Sequence, residues 1–420
     1  MNTASEPPSA PVKSRGWVVT LAGTGINLAL GILYTWSVIS KGVPEAWGWT
    51  ETDKSLPYAI ACLMFCLMMV PAGRMQDRIS PRIVATIGGV LVGLGLMLAS
   101  RTTSPAGYIL GFGVLAGAGI GFGYAAATPP AVKWFPAGRT GMIAGLVVSG
   151  FGLASVYAAP LAQWMTQRFG LPAMVLAFGA GFLVVVVLLA QLLVAPPPGY
   201  TATGPAGKAG GGPVAAARPV DCTPGEMLAT RPFYLLWFMY ACGAGAGLMI
   251  ISKLAKIGLD QAGLSLGFVL VAVLAVGNGG GRILAGVVSD KIGRKATLFT
   301  CFVLQAVAIT LLSQTREGNI LAHPVVLALL SALIGANYGA NLAIFPSITK
   351  DYYGLKNFGV NYGLVFTAWG LGGFMLATLA GKVYDRTQAF TFAYNLSAVL
   401  LVVAAVVTLL VRPPAPKARE

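Results

Sequence analysis

Apolar stretches long enough to cross a lipid bilayer recur twelve times in this chain, and that repetition constrains its fold more than any other feature. They run over residues 17–40, 56–76, 83–100, 106–131, 141–163, 172–194, 233–252, 264–288, 297–313, 324–347, 359–381 and 389–411. A helix rises about 1.5 Å per residue and the hydrocarbon core is about 30 Å thick, so about 20 apolar residues span it. In lipid each segment must satisfy its own backbone polar groups, which selects helices. Charged residues make up only 10% of the chain, against about 25% in soluble domains. The expected class is an all-α integral membrane protein with twelve transmembrane helices.

The segments fall into two sixes. Residues 1–15, polar and rich in Pro and Ser, are expected to form a tail and 16–194 a first six-helix bundle. A linker over 195–231, a second bundle over 232–411 and a tail over 412–420 complete the chain. The linker contains Pro196-Pro197-Pro198 and Gly210-Gly211-Gly212 and has too few apolar residues to pack a core. The apolar run after Lys13 and Arg15 is too long for a cleaved signal peptide and reads as the first span. With both termini in the cytoplasm, 18 of the 28 Lys and Arg fall inside and 9 outside, as the positive-inside rule requires.

The net charge of +15 is therefore assigned to topology. Nucleic acid is not an expected partner, because no basic patch is interleaved with aromatic residues. A cell membrane setting, bacterial and inner, is expected, with a monomeric transport unit. The cysteines (Cys62, Cys66, Cys222, Cys242 and Cys301) form no Cys-x-x-Cys pair, and His323 is the only histidine. No metal centre and no cofactor are expected.

Each half carries a polar hairpin after its second span. The first reads Gly73-Arg74-Met75-Gln76-Asp77-Arg78-Ile79-Ser80-Pro81-Arg82, and the second reads Gly286-Val287-Val288-Ser289-Asp290-Lys291-Ile292-Gly293-Arg294-Lys295. In this pattern Gly73 and Gly286 would let helices approach closely. Asp77 and Asp290 would cap or pair at the turn, and Arg78 and Lys291 would hold it at the anionic leaflet. The repeated hairpin resembles that of the major facilitator superfamily. The resemblance implies two six-helix bundles related by a pseudo-twofold axis, with substrate bound between them.

Further stretches carry a narrower likeness: Lys133-Trp134-Phe135-Pro136-Ala137-Gly138-Arg139-Thr140-Gly141, Gly225-Glu226-Met227-Leu228, Asn361-Tyr362-Gly363, Trp17, Tyr34-Thr35-Trp36 and the intramembrane Arg282. Together they resemble the branch that holds oxalate/formate exchangers and monocarboxylate transporters.

Arg282 lies eight residues before Asp290, about 12 Å into the bilayer. A charge at such depth costs roughly 2.5–3.5 kcal/mol even on the lenient insertion scale and marks a functional site by default. Arginine can hold a carboxylate through two parallel charge-assisted hydrogen bonds. The structural alternative is an ion pair with a protein acid, but all 13 Asp and Glu fall in loops, tails or helix ends. Asn278, one turn earlier on the same face, joins Arg282.

The branch resemblance implies an aspartate at the position of Asn278 in animal monocarboxylate transporters, and a lysine in their first span. This chain has neither. It also implies a lysine in span eleven of the oxalate exchanger, where this chain has Trp369. One fixed positive charge neutralises a monocarboxylate, whereas a dicarboxylate would keep one desolvated charge at a cost of roughly several kcal/mol. Leu28, Tyr124, Leu146, Tyr338 and Phe366 match the depth of Arg282, with Tyr34 further outward. The tyrosines could donate hydroxyls, and the apolar side chains could enclose a short tail; ordinary helix packing is the competing reading for each.

The leading expectation is a secondary transporter of small monocarboxylates such as lactate or pyruvate, coupled to protons and working by alternating access. Asp260, beside Lys256 at the outer mouth, is the candidate proton carrier. Anion exchange of the oxalate/formate type is the alternative, and a non-transporting sensor or a membrane-embedded enzyme the remote one. An enzyme is not expected, since no mid-membrane acid, histidine or paired nucleophile is visible. The glycine-rich runs Gly117–Gly123 and Gly243–Gly247 read as close helix contacts and not as nucleotide loops, because neither follows a strand.

Overall fold

The computed structural model describes residues 14–135, 140–197, 200, 221–263, 267–354 and 357–414; the side chains of Asp77, Arg78 and Asp290 lie outside the described set. Among the described residues, twelve helices are long and apolar enough to cross a membrane. They are α1 (Gly16–Lys41), α2 (Glu51–Gln76), α3 (Pro81–Ala99), α4 (Pro105–Val132), α5 (Met142–Phe169) and α6 (Leu171–Ala190), then α7 (Arg231–Ala262), α8 (Gly267–Ser289), α9 (Arg294–Ser313), α10 (Pro324–Tyr353), α11 (Val360–Thr387) and α12 (Thr391–Leu410). Their number and class agree with the sequence.

Several helices outrun their apolar segments. The second begins at Glu51 and not at 56, because Thr50 and Asp53 form a capping box: the Asp53 amide donates to Thr50 Oγ1 at 3.1 Å and the Thr50 amide to Asp53 Oδ2 at 2.9 Å. The seventh continues ten residues past 252 and ends where Gly263 turns left-handed at φ 65°, a backbone conformation that glycine adopts without a Cβ clash. Both extensions lie at the end of the bundle remote from the chain termini, here the distal end.

Within the first half, α3 packs on α6 and α4, α2 on α4, and α1 on α5; within the second, α8 packs on α10, α7 on α11, and α9 on α12. The halves meet along α2 with α11 and α5 with α8, and at the distal end the outer part of α1 meets α7. The glycine-rich runs do make close contacts. A Cβ on Gly119 would lie 2.6 Å from the Gly88 carbonyl oxygen, and one on Gly245 would lie 2.7 Å from that of Gly372.

The close approach expected at the two hairpin glycines is not made: a Cβ on Gly73 or on Gly286 would meet nothing within 4 Å. A Cβ on Gly363 of α11 would stand 3.3 Å from Val70 Cγ2, so α11 approaches α2 three residues before Gly73 and not at Gly73 itself. Within the second hairpin, Arg294 Nε donates to Asp351 Oδ2 at 3.4 Å and ties α9 to α10; Lys291, two residues past Ser289, is exposed. The last ten residues of the linker dock on the second half. A short helix over Pro224–Leu228 is capped by Thr223 and Glu226, the Cys222 amide donates to Tyr353 O at 3.0 Å, and Asn361 Nδ2 donates back to Cys222 O at 3.0 Å.

Candidate functional site

Arg282 sits on α8 where that helix crosses α5, and it is 6% exposed. Its Nε donates to Asn278 Oδ1 at 3.1 Å, so the two residues chosen for their one-turn spacing do share a face and a bond. Its Nη1 donates to the Val148 carbonyl at 2.9 Å. Its Nη2 and Asn278 Nδ2 are buried and make no close hydrogen bond among the described residues, while the Tyr124 hydroxyl lies near enough to the guanidinium to interact with it. A Cβ on Gly152 of α5 would stand 3.4 Å from Cζ, Nε and Nη2 alike, so the glycine leaves that side of the guanidinium without a covering side chain. The hydroxyls of Tyr34, Tyr124, Tyr338 and Tyr240 also lie near enough to act electrostatically on the guanidinium.

The tight α8–α10 seam fixes the height and rotation of this face. Gly277 and Gly281 on one helix and Gly335 and Gly339 on the other are each so close to backbone that a Cβ would collide with the opposing carbonyl oxygen. These two small-x-x-x-small pairs place Asn278 and Arg282 beside Tyr338.

Around the arginine lies a buried aromatic cluster drawn from both halves. Tyr34 and Tyr338 join hydroxyls at 2.6 Å, and Trp369 Nε1 donates to the Tyr338 hydroxyl at 2.8 Å. Phe65 stands at the centre, 5.2 Å from Tyr124, 5.6 Å from Phe151, 5.5 Å from Phe366 and 5.0 Å from Trp369 between ring centroids. Tyr34 belongs to a 3-10 segment, Gly31–Thr35, which interrupts α1.

Tyr124, Tyr338 and Phe366, picked from the sequence by depth, and Tyr34, expected further outward, are therefore together. Leu28 is half-buried and its carbonyl accepts from Tyr157; Leu146 is 37% exposed; neither belongs to the aromatic cluster. Phe65, Phe151 and Trp369 are members that depth and charge did not single out as lining. Depth alone could have proposed Phe65 and Phe151.

At the distal end a second polar cluster joins the halves; it was not expected, because Glu51 and Lys253 fall outside the apolar segments. Glu51 on α2, 8% exposed, pairs with Lys253 on α7, 2% exposed, at 3.0 Å. Lys54 and Lys256 approach the same carboxylate at 3.2 and 3.8 Å. Asp385 of α11 accepts from the amides of Glu51 and Thr52 at 2.8 and 2.9 Å and from the Thr52 hydroxyl, and so anchors the α2 N-terminus where the helix dipole favours an anion. Asp260 lies at the rim of this cluster, 3.1 Å from Lys256 and 2.9 Å from the Tyr384 hydroxyl.

These features agree with what the chain is similar to. The Major Facilitator Superfamily profile matches residues 17–282 and 255–420. The uncharacterized MFS-type transporter YhjX of Escherichia coli (strain K12) is 27% identical over 84% of this chain and 85% of its own length. The oxalate:formate antiporter of Oxalobacter formigenes is 27% identical over 84% and 81%, and human monocarboxylate transporter 11 is 26% identical over 94% and 83%. Among solved structures, a bacterial homolog of the human lysosomal transporter Spinster, crystallised inward-facing and unoccupied, matches with a TM-score of 0.66 at 17% identity, covering 95% of this chain and 97% of that one. Twelve spans in two halves, a paired hairpin and a matching profile over nearly the whole length place this chain in the Major Facilitator Superfamily, as a transporter.

Proposed function

We propose that the protein carries small monocarboxylates of the lactate and pyruvate type across a cell membrane, by proton-coupled symport with alternating access. The observation that carries this reading is the buried Arg282 Nη2, which makes no close hydrogen bond among the described residues. An unmade hydrogen bond on a buried charged group costs more than about 1–3 kcal/mol, and a carboxylate placed beside Gly152 would satisfy it together with Asn278 Nδ2. With one cation in the cluster and Trp369 committed to Tyr338, a singly charged anion leaves no net charge. Both termini would lie in the cytoplasm, with the distal end facing outward. The transport unit would be a monomer.

Thermal unfolding of the purified protein with acetate, lactate, pyruvate and oxalate tests the ligand class. Stabilisation by lactate and pyruvate and none by oxalate is expected; stabilisation by oxalate alone would overturn the charge argument.

Anion exchange is the second reading, favoured by the likeness to an oxalate:formate antiporter. A pH gradient across proteoliposomes that hold no exchangeable anion separates the two, since gradient-driven lactate uptake requires symport. Within symport, Asp260 carries the proton. Asp260→Asn would then lose gradient-driven uptake while keeping lactate counterflow, and full retention of gradient-driven uptake would remove Asp260 from the mechanism.

A further inference from the structure

We propose that Lys253 is a second carboxylate-binding group, at the distal mouth of the pathway, and that Glu51 occupies it as an internal stand-in for the substrate carboxylate. The proposal rests on the carboxylate reading of Arg282 and extends it to the route by which the anion arrives.

The cluster is unbalanced in a specific way. Three lysines, Lys54, Lys253 and Lys256, lie within 3.0–3.8 Å of the one Glu51 carboxylate. Lys54 shares α2 with Glu51 and stays with it whenever the halves part. Lys256 keeps Asp260, its neighbour on α7, at 3.1 Å. Lys253 donates both of its hydrogen bonds to the other half, to Glu51 Oε2 at 3.0 Å and to Glu51 O at 3.3 Å. Opening the distal end therefore strips Lys253, and no other cation of the cluster, of its acid. A stripped charge in a low-dielectric crevice is unfavourable until an anion replaces the lost one, and an arriving carboxylate has the chemistry of the group that left.

The position suits a first stop. Lys253 is six residues, about 9 Å along the helix, from Gly247, against which Tyr338 packs. On the facing helix, Tyr58 is seven residues, about 10 Å, deeper than Glu51, and its fully buried hydroxyl lies beside the Cys62 thiol. From Lys253 the donors Tyr58, then Tyr34 and Tyr338, lead towards Arg282. Tyr58 acts electrostatically on Tyr338, and Tyr34 acts on Arg282.

The test is zero-trans uptake of radiolabelled lactate in right-side-out vesicles, with KM compared among Glu51→Gln, Lys253→Gln and Glu51→Gln/Lys253→Gln. An internal competitor and its binding group must give opposite signs. Glu51→Gln is expected to lower KM about threefold or more, and Lys253→Gln to raise it about tenfold, the scale of one charge-assisted hydrogen bond. Lys253→Gln leaves Glu51 facing a neutral partner and could impair folding. The double variant removes both charges and is expected to show the raised KM. A structural latch alone predicts that the two single variants act in the same direction, since each breaks the same pair; that result, or unchanged KM in all three, overturns the proposal. Normal uptake by Arg282→Lys would overturn the central assignment alone, and absence of lactate uptake by the unaltered protein would overturn the carboxylate reading and this site with it.

Discussion

Replacing Arg282 by lysine is expected to weaken lactate binding about 10–100-fold and nearly abolish stabilisation by the anion. The charge is kept, so the loss isolates geometry. The guanidinium spends Nε on Asn278 and Nη1 on Val148, and those two bonds hold its plane so that Nη2 is presented to the space beside Gly152. An ammonium has one nitrogen, and it cannot hold that orientation and also donate in parallel to a carboxylate. A hydrogen bond to a charged group contributes about 1.5–3 kcal/mol, which sets the range. At a lactate concentration about 100 times the dissociation constant, binding adds about 2.7 kcal/mol of stability. A hundredfold weaker site would add about 0.4 kcal/mol at the same concentration. Thermal unfolding with and without lactate, on both proteins, measures this. A lowered unfolding temperature with the lactate shift intact would make Arg282 a structural residue and end its assignment to the substrate.

The helices and the central cation were legible in the sequence because both follow from short-range rules. Spanning length and the repeated hairpin need no knowledge of packing, and an arginine inside an apolar segment announces its own cost. Asn278 followed from helical periodicity, and the structure gives that periodicity a bond. Depth matching went further for Tyr124, Tyr338 and Phe366 than for Leu146, because height along an axis says nothing of rotation about it. Each residue turns a helix by about 100°, and on α5 the carbonyl of Val148, two residues on, is what reaches Arg282.

The distal cluster was hidden for a different reason. An apolar window ends at the first charge, so Glu51 and Lys253 were assigned to loops although each is buried by a helix of the other half. Two local signals were present, the Thr50–Asp53 capping box and the apolar spacing of Leu254, Ile257 and Leu259 before Gly263. Together they extend both helices into the space between the halves. The pairing itself joins residues 202 positions apart, and no local rule supplies it.

The same distinction between local and distant information singles out Gly281. Nothing in its immediate sequence separates it from Gly280, yet the two face opposite surroundings. A Cβ on Gly281 would collide with the carbonyl oxygen of Ala336 and lie 2.5 Å from the Ala336 Cα, whereas a Cβ on Gly280 would meet nothing within 4 Å. The obstacle at Gly281 is backbone on a helix itself held by Gly335 and Gly339 against α8, so neither side can yield by a rotamer change. Overpacking of this kind costs about 1–3 kcal/mol.

Gly281→Ala is therefore expected to lower the unfolding temperature clearly. It is also expected to weaken lactate binding by more than its loss of stability would suggest, because moving α8 from α10 carries Arg282 and Asn278 away from Tyr338. Gly280→Ala should leave both quantities near their starting values and gain slightly from helix propensity, by up to about 1 kcal/mol. Thermal unfolding of the two variants with and without lactate makes the comparison. If Gly281→Ala matched Gly280→Ala, the α8–α10 seam would not be what holds the arginine in register. If it lost stability but bound lactate normally, the seam would support the fold without setting the site.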